Sequence, residues 1–159
     1  LQHYLPAALA FLAPNVNSYR RLMPGNMAAP INTEWGHENR TVGLRVPHAG
    51  AEATRVESRI AGADANPYLA MAANLACGYL GIVHEIEPRP PTSKVGYEAG
   101  QTLASELSRA LDELAACGEL HALLGERFTA AYLAAKRTEY TAYFRVISSW
   151  ERQYLLLRV

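Results

Sequence analysis

Lysine is scarce in this sequence, although its acidic and basic residues balance. Fifteen basic residues oppose fifteen acidic ones, and only two of the cations, Lys94 and Lys136, are lysines. A chain with zero formal net charge has no general electrostatic attraction for nucleic acid or for an anionic membrane surface. We therefore expect neither nucleic acid nor a membrane among its partners.

Cysteines and long apolar runs are also few. Cys77 and Cys117 are the two cysteines, and neither lies in a CxxC or Cys/His spacing of the kind that binds metal. We expect free thiols in a cytoplasmic protein, because a reducing compartment keeps thiols unpaired. The longest apolar run, residues 68–83, is shorter than the roughly 20 residues of a membrane-spanning helix. It predicts a core helix instead.

Several familiar catalytic motifs are missing. The sequence has no GxxxxGK[ST] phosphate loop and no GxSxG nucleophile turn, and its five histidines are dispersed without ligand spacing. A length of 159 residues with 50% hydrophobic and 19% charged residues is typical of one globular domain. If this domain is an enzyme, other side chains must carry its chemistry.

Two short segments alternate as strands do. Apolar and polar residues alternate over Thr41–Val46 and again over Arg55–Ile60. The eight residues between them allow an antiparallel hairpin. One face of this hairpin is then apolar, and the other carries three arginines and one glutamate.

The other segments predict helices. Residues 1–13 are apolar and helical up to Pro14, and the Asn66-Pro67 pair begins a helix that runs to about residue 83. After a loop over Pro88–Gly96, apolar spacing predicts a helix over 103–114 closed by Gly118, and another over 126–154 whose aromatic stripe is a packing surface. The sequence thus predicts an α+β fold, with strands and loops in residues 1–65 and helices in residues 66–159.

Arginine is concentrated in one region. Six of the thirteen arginines lie between Arg20 and Arg59, a stretch without lysine or aspartate. The guanidinium group suits phosphates and carboxylates, and an Arg-x-Glu-x-Arg strand face could bind a polyphosphate together with its divalent cation. The alternative is an ion-paired ladder on a solvated strand. Arg21 could likewise bind a small carboxylate or cap the C-terminus of a helix.

Three strings carry a resemblance to a known family. NSYRRLMPG, WGHENRTVGLRVP and RVESRIAGADANPYLAMAA occur in order between Asn15 and about Ile86. They resemble the C-terminal part of the catalytic domain of the glutamine synthetase family, and the helical tail is similar too. Within that family the wording is most similar to the gamma-glutamylputrescine synthetase branch. The whole chain, residues 1–159, would then be the C-terminal portion of that domain.

The resemblance implies a role for each charged residue of the three strings. Arg21 would bind glutamate, and Arg40 and Arg45 would contact the phosphates of ATP and the acyl-phosphate intermediate. Glu57 would be a ligand of Mg²⁺ or Mn²⁺, and Arg59 would contact glutamate or the transferring phosphoryl group. The implied activity is an ATP-dependent ligase that joins the γ-carboxylate of glutamate to an amine through a γ-glutamyl phosphate.

One segment departs from the family pattern. Ordinary glutamine synthetases have a glutamate soon after the PG of the first string, on a flap that helps to bind ammonium, whereas residues 26–30 read NMAAP. This departure favours a bulkier, putrescine-like amine over ammonia, although ordinary loop divergence would give the same letters. Glutamine synthesis from ammonia is the alternative.

The resemblance also implies an incomplete site. The remaining metal carboxylates, the adenine contacts and an N-terminal domain that closes the site of a neighbouring subunit in a homo-oligomeric ring would precede Leu1. We therefore expect the isolated chain to be inactive. A non-catalytic structural or interaction protein with a synthetase-like fold is the alternative from another class. A purely helical interaction domain is disfavoured, because residues 40–59 predict strands with buried faces.

Overall fold

The computed structural model describes residues 1–26, 29–100 and 102–158, and within them six α-helices and three strands. The strands are β1 (Trp35–His37), β2 (Leu44–Val46) and β3 (Glu57–Ser58). The helices are α1 (Leu5–Leu12), α2 (Pro67–Val83), α3 (Leu107–Ala116), α4 (Gly118–Leu124), α5 (Glu126–Phe144) and α6 (Ser149–Tyr154). A small sheet beside a larger helical part confirms the predicted α+β class.

The sheet has the order β1-β2-β3. Strands β2 and β3 are antiparallel, with Leu44 opposite Ser58 and Arg45 opposite Glu57, which confirms the predicted hairpin. Strand β1, which the sequence analysis missed, lies parallel to β2 with Trp35 opposite Leu44. A three-residue strand offers too few positions for alternation to be visible.

The two predicted strands are shorter than the alternation suggested. Residues 41–43 form a turn, because the Asn39 side chain accepts hydrogen bonds from both the amide and the hydroxyl of Thr41. Gly43 lies so close to the Asn32 carbonyl oxygen that any side chain there would clash. Pairing continues past the end of β3, since the Arg59 amide donates to the Gly43 carbonyl at 2.9 Å.

Helix α1 forms the centre of the core. Leu5, Leu9 and Leu12 are fully buried, and the helix packs against both α2 and α3. The ring of Phe11 lies 4.6 Å from that of Tyr132 on α5, and the Tyr132 hydroxyl donates to the Ala10 carbonyl at 2.7 Å. These contacts explain why such a short apolar helix is stable in the folded chain.

The helix predicted over residues 126–154 is broken into α5 and α6. Ser148 accepts from the Glu151 amide while the Glu151 carboxylate accepts from the Ser148 amide, and this capping box begins a new helix. The stripe that was expected to pack is also largely uncovered, since Phe144, Ile147 and Trp150 are each more than half exposed. The single helix predicted for this segment was therefore wrong, whereas the packing role of the stripe is seen within the described chain at Tyr140, which is partly buried against the core.

The segment near Gly118 differs in a smaller way. The helix predicted over 103–114 is displaced to Leu107–Ala116, and Gly118 opens α4 instead of closing the helix before it. Both cysteines are free, as predicted, and burial raises the pKa of the Cys77 thiol to about 12. Among the described helices, none combines the length and apolar character that crossing a bilayer requires.

Candidate active site

The β2–β3 hairpin brings an arginine and a glutamate together on one face of the sheet. Arg45 Nη1 donates to Glu57 Oε2 at 2.8 Å, and Arg55 Nη2 donates to Glu57 Oε1 at 3.2 Å. Arg45 Nη2 also donates to Glu38 Oε2 at 2.6 Å. Glu38 lies in the turn that follows β1. This group is an ion-paired cluster, which was the alternative to an anion site for the strand face.

Glu38 strengthens the charge of Arg45. The hydrogen bond that Arg45 donates to Glu38 raises the pKa of Arg45 above its ordinary value; burial opposes this rise, and the hydrogen bond to Glu57 adds to it. The same bond, together with the His48 amide, lowers the pKa of Glu38. Arg45 therefore stays cationic and well fixed, but its charge is already balanced by two carboxylates.

Arg40 and Arg59 have no such balance. The Arg59 Nη1 atom is buried without a hydrogen-bond partner in the described chain, although its backbone is anchored to Gly43. Arg40 is exposed in the turn between β1 and β2, and no ion pair joins it to the described residues. A buried, unpartnered guanidinium nitrogen is costly unless an anion or water meets it. Arg59 therefore fits an anionic partner, whereas the exposed Arg40 is free to meet one without a cost of burial.

Arg21 reaches the same part of the chain from a 3-10 helix over Val16–Arg21. Its Nη2 atom donates to the carbonyl of Ile60, next to Arg59, at 2.6 Å, and makes a longer 3.5 Å contact with the carbonyl of Leu12 at the end of α1. Its Nε atom has no partner among the described residues. The helix-capping alternative is thus present as a weak contact, and the buried Nε atom is left without a partner among the described residues.

The charge of Arg21 is supported by a carboxylate nearby. Burial lowers the pKa of Arg21, while the charge of Asp64 raises it in part. Asp64 is held by Ser18 Oγ at 2.5 Å and by Asn15 Nδ2 at 3.2 Å. Gly62 lies between the two groups, and a Cβ there would clash with the Asp64 carboxylate and press on Arg21. Residues 61–64 (AGAD) and residues 17–21 (NSYRR) are therefore joined through the contacts of Asp64 and Gly62 with Ser18 and Arg21.

A divalent cation finds only part of its ligand set here. Both oxygens of Glu57 accept hydrogen bonds from arginines, and the described residues contain no group of three or more His, Cys, Asp or Glu side chains able to hold a metal. Mg²⁺ and Mn²⁺ prefer several oxygen ligands. As a metal ligand, Glu57 would need further ligands from outside the described residues, and it would have to exchange an arginine for the cation.

A cavity of about 410 Å³ lies on the other face of the sheet. Leu44, Val46 and Val56 line it together with Leu1 and Trp35, so it is predominantly apolar. Because side chains alternate along a strand, this face is opposite to Arg45 and Glu57. The cavity is therefore separate from the arginine cluster.

Sequence reasoning missed two members of the site, Glu38 and Asp64. Glu38 has a left-handed backbone, with φ of 51°, which turns it toward Arg45, and nothing in the letters signals that turn. Of the five flap residues, Met27 and Ala28 lie outside the described residues, whereas Ala29 and Pro30 are buried. The effect of the missing flap carboxylate on the choice of amine thus stays a prediction from the sequence.

Comparison with known proteins identifies the family of this chain. The family model "Glutamine synthetase, catalytic domain" matches residues 1–155. The chain belongs to the glutamine synthetase family. Over 153 residues it is 43% identical to gamma-glutamylputrescine synthetase PuuA of Escherichia coli (strain K12), covering 96% of this chain and 32% of that protein.

Two further relatives extend the comparison. Glutamine synthetase of Methanocaldococcus jannaschii is 37% identical over 154 residues, which cover 91% of this chain and 34% of that enzyme. A solved structure described as "GmaS/ADP complex-Conformation 1" superposes with a TM-score of 0.86 at 33% identity, covering 98% of this chain and 37% of that one. The chain therefore spans about a third of the length of the relatives that it matches.

Proposed function

We propose that this chain supplies the anion-binding part of an ATP-dependent ligase that joins the γ-carboxylate of glutamate to an amine through a γ-glutamyl phosphate. One observation carries the proposal: among the described residues, Arg40 and Arg59 have no carboxylate partner, although they lie beside a hairpin whose other charges are paired. The buried guanidinium nitrogen of Arg59 weighs most here, because a purely structural module would leave this costly group without compensation. Family membership supports the same reaction class.

Each charged residue has a distinct proposed task. Arg21 orients the carboxylate of glutamate, and Arg40 and Arg45 bind the phosphates of ATP. Arg59 stabilises the negative charge that develops on the transferring phosphoryl group, which is the main electrostatic demand of phosphoryl transfer. Glu57 contributes one ligand to a Mg²⁺ or Mn²⁺ ion, which when bound would neutralise phosphate charge.

The proposed amine is larger than ammonia and putrescine-like. The NMAAP segment lacks the flap carboxylate that would favour ammonium, and the E. coli relative is named for putrescine. Glutamine synthesis is the second candidate, because relatives such as the M. jannaschii enzyme are named glutamine synthetase.

We further propose that residues 1–159 act as the C-terminal portion of a catalytic domain in a cytoplasmic homo-oligomeric ring. In this division residues 1–65 provide the strands and loops of the site, and residues 66–159 provide the helical part. Support comes from the shared length, about a third of each relative, and from the apolar side chains left exposed on α2 and near α6. Free cysteines agree with a reducing compartment.

A chimera tests the function directly. Residues 1–155 replace the matching third of the E. coli gamma-glutamylputrescine synthetase, and phosphate release is measured with ATP and glutamate plus putrescine or ammonium. We expect glutamate-dependent turnover that is faster with putrescine, and none from the isolated 159-residue chain. The matched control is the same chimera carrying Arg59→Gln, which should lose turnover by about 100-fold or more.

Each contrary outcome has a clear meaning. Faster turnover with ammonium than with putrescine would mean that the activity is glutamine synthesis and not ligation of a larger amine. A chimera that folds and assembles but binds no ATP·Mg in calorimetry would favour the non-catalytic alternative. Turnover by the isolated chain at the rate of an intact synthetase would refute the proposal that its site is incomplete.

A further inference from the structure

The turn that carries Arg40 is fixed by the residues on either side of it. Asn39 Oδ1 accepts from the Thr41 amide at 3.0 Å and from the Thr41 hydroxyl at 2.6 Å. The Arg40 side chain between them is exposed and forms no ion pair with the described residues. Its location in space is therefore set by its backbone and not by contacts of its guanidinium.

A loop from the other half of the sequence holds this turn in place. Residues 92–96, named the strap here, accept two hydrogen bonds from Asn39 Nδ2, at 3.2 Å to the Thr92 carbonyl and 2.9 Å to the Lys94 carbonyl. The Gly96 amide donates to Thr41 Oγ1 at 2.6 Å. A Cβ at Gly96 would clash with the Thr41 carbonyl oxygen, so the two backbones lie in direct contact.

The strap is itself anchored at both ends. The Thr92 amide donates to the carbonyl of Trp35 on β1 at 2.8 Å. At the other end, Asn32 Nδ2 donates to the Gly96 carbonyl at 2.7 Å, and Asn32 is fully buried. Asn32 is buried and Trp35 packs against the core while partly exposed, so the strap ties the Arg40 turn to the folded core.

We infer that Thr41 and Asn39 are positioning residues that hold Arg40 for phosphate binding, with the strap as their support. The inference rests on the proposed phosphate role of Arg40. An arginine on a flexible turn loses both backbone and side-chain conformational entropy when it binds a phosphate, and this loss weakens binding. A fixed turn leaves only the side chain to be ordered.

The experiment measures binding of inorganic triphosphate to the 159-residue protein by titration calorimetry at low ionic strength. Arg40→Gln should weaken binding about tenfold, as expected for the loss of one charge-assisted contact. Thr41→Val removes the hydroxyl at nearly constant shape and should weaken binding about fivefold, whereas Thr41→Ser keeps the hydroxyl and should stay within about twofold of wild type. In the Arg40→Gln background, Thr41→Val should cause no further loss.

The double variant separates positioning from general stabilisation. A fivefold loss from Thr41→Val that persists in the Arg40→Gln background would overturn the inference, because the effect would then not pass through Arg40. Weaker binding in Arg40→Gln with unchanged binding in Thr41→Val would overturn the inference alone and leave the proposed function intact. Wild-type protein that binds no triphosphate, or binding that is unaffected by Arg40→Gln, would overturn both.

Folding of each variant is checked by circular dichroism and thermal unfolding. If Thr41→Val fails to fold, Asn39→Ala replaces it in the same cycle, since it cuts the bonds of the turn to the strap from the other side. The expected pattern is unchanged: a loss in the wild-type background and none in the Arg40→Gln background.

Discussion

At the scale of single residues, the site separates paired charges from unpaired ones. Glu57 sits between Arg45 and Arg55, and Glu38 takes the second edge of Arg45, so these four residues balance one another. Ion pairs that remain partly exposed, as these do, contribute modestly to stability, because solvent screens them. Their value here is geometric: they fix the direction of Arg45 and keep Glu57 at the surface of the hairpin.

Substitution of Glu57 by glutamine tests its proposed role as a metal ligand. In the active chimera, Glu57→Gln should raise the Mg²⁺ or Mn²⁺ concentration needed for half-maximal activity by more than about tenfold, because an amide is a weaker ligand than a carboxylate. Glu38→Gln is the matched control, since it also removes one carboxylate from Arg45 without touching the proposed metal position. Equal shifts in both variants, or no shift in either, would leave Glu57 as an ion-pair member only.

At the scale of elements, the predictable parts are those whose signals are local. Helix α2 begins at Pro67 as expected, because the Asn66 side chain caps the amides of Tyr68 and Leu69 within three residues. The pairing of Arg45 with Glu57 likewise follows from the hairpin. Glu38 and the strap could not be predicted, because they depend on a left-handed backbone and on contacts more than 50 residues apart. The break before α6 has a local signal in the Ser148–Glu151 capping box, which apolar spacing alone does not reveal.

Removal of the two helix caps should have unequal effects. Asn66→Ala leaves two amides of a 17-residue helix without their acceptor, and this helix contributes buried residues to the core, so the free energy of unfolding should fall by about 1 kcal/mol. Ser148→Ala removes an equivalent cap from α6, which has no buried residues, and should leave global stability unchanged. Urea unfolding measures both. A larger loss for Ser148→Ala would mean that α6 packs more tightly than this structure shows.

At the scale of the whole molecule, apolar surface is unevenly distributed. On α2, the side chains of Tyr68, Met71, Leu75, Tyr79 and Ile82 recur at helical spacing and are each more than half exposed. None of the described residues covers this face, while the opposite face of α2 packs against α1 and α4. Contiguous exposed apolar side chains of this kind often mark an interaction surface. The proposed homo-oligomer would use it, or the apolar side chains near α6.

Self-association of the 159-residue protein should therefore depend on the α2 stripe. Sedimentation velocity should give an average mass that exceeds 17.4 kDa and rises with protein concentration, because apolar faces associate by removing surface from water. Leu75→Glu combined with Ile82→Glu should return the mass toward the monomer, since burying an unpaired carboxylate is unfavourable.

Ala130→Glu, at an exposed position of α5, adds charge without touching the stripe and should associate like wild type. Association that survives the double substitution but is lost with Phe144→Glu and Trp150→Glu would transfer the interface to the α6 end. A monomer at every concentration would mean that neither face is sufficient for assembly.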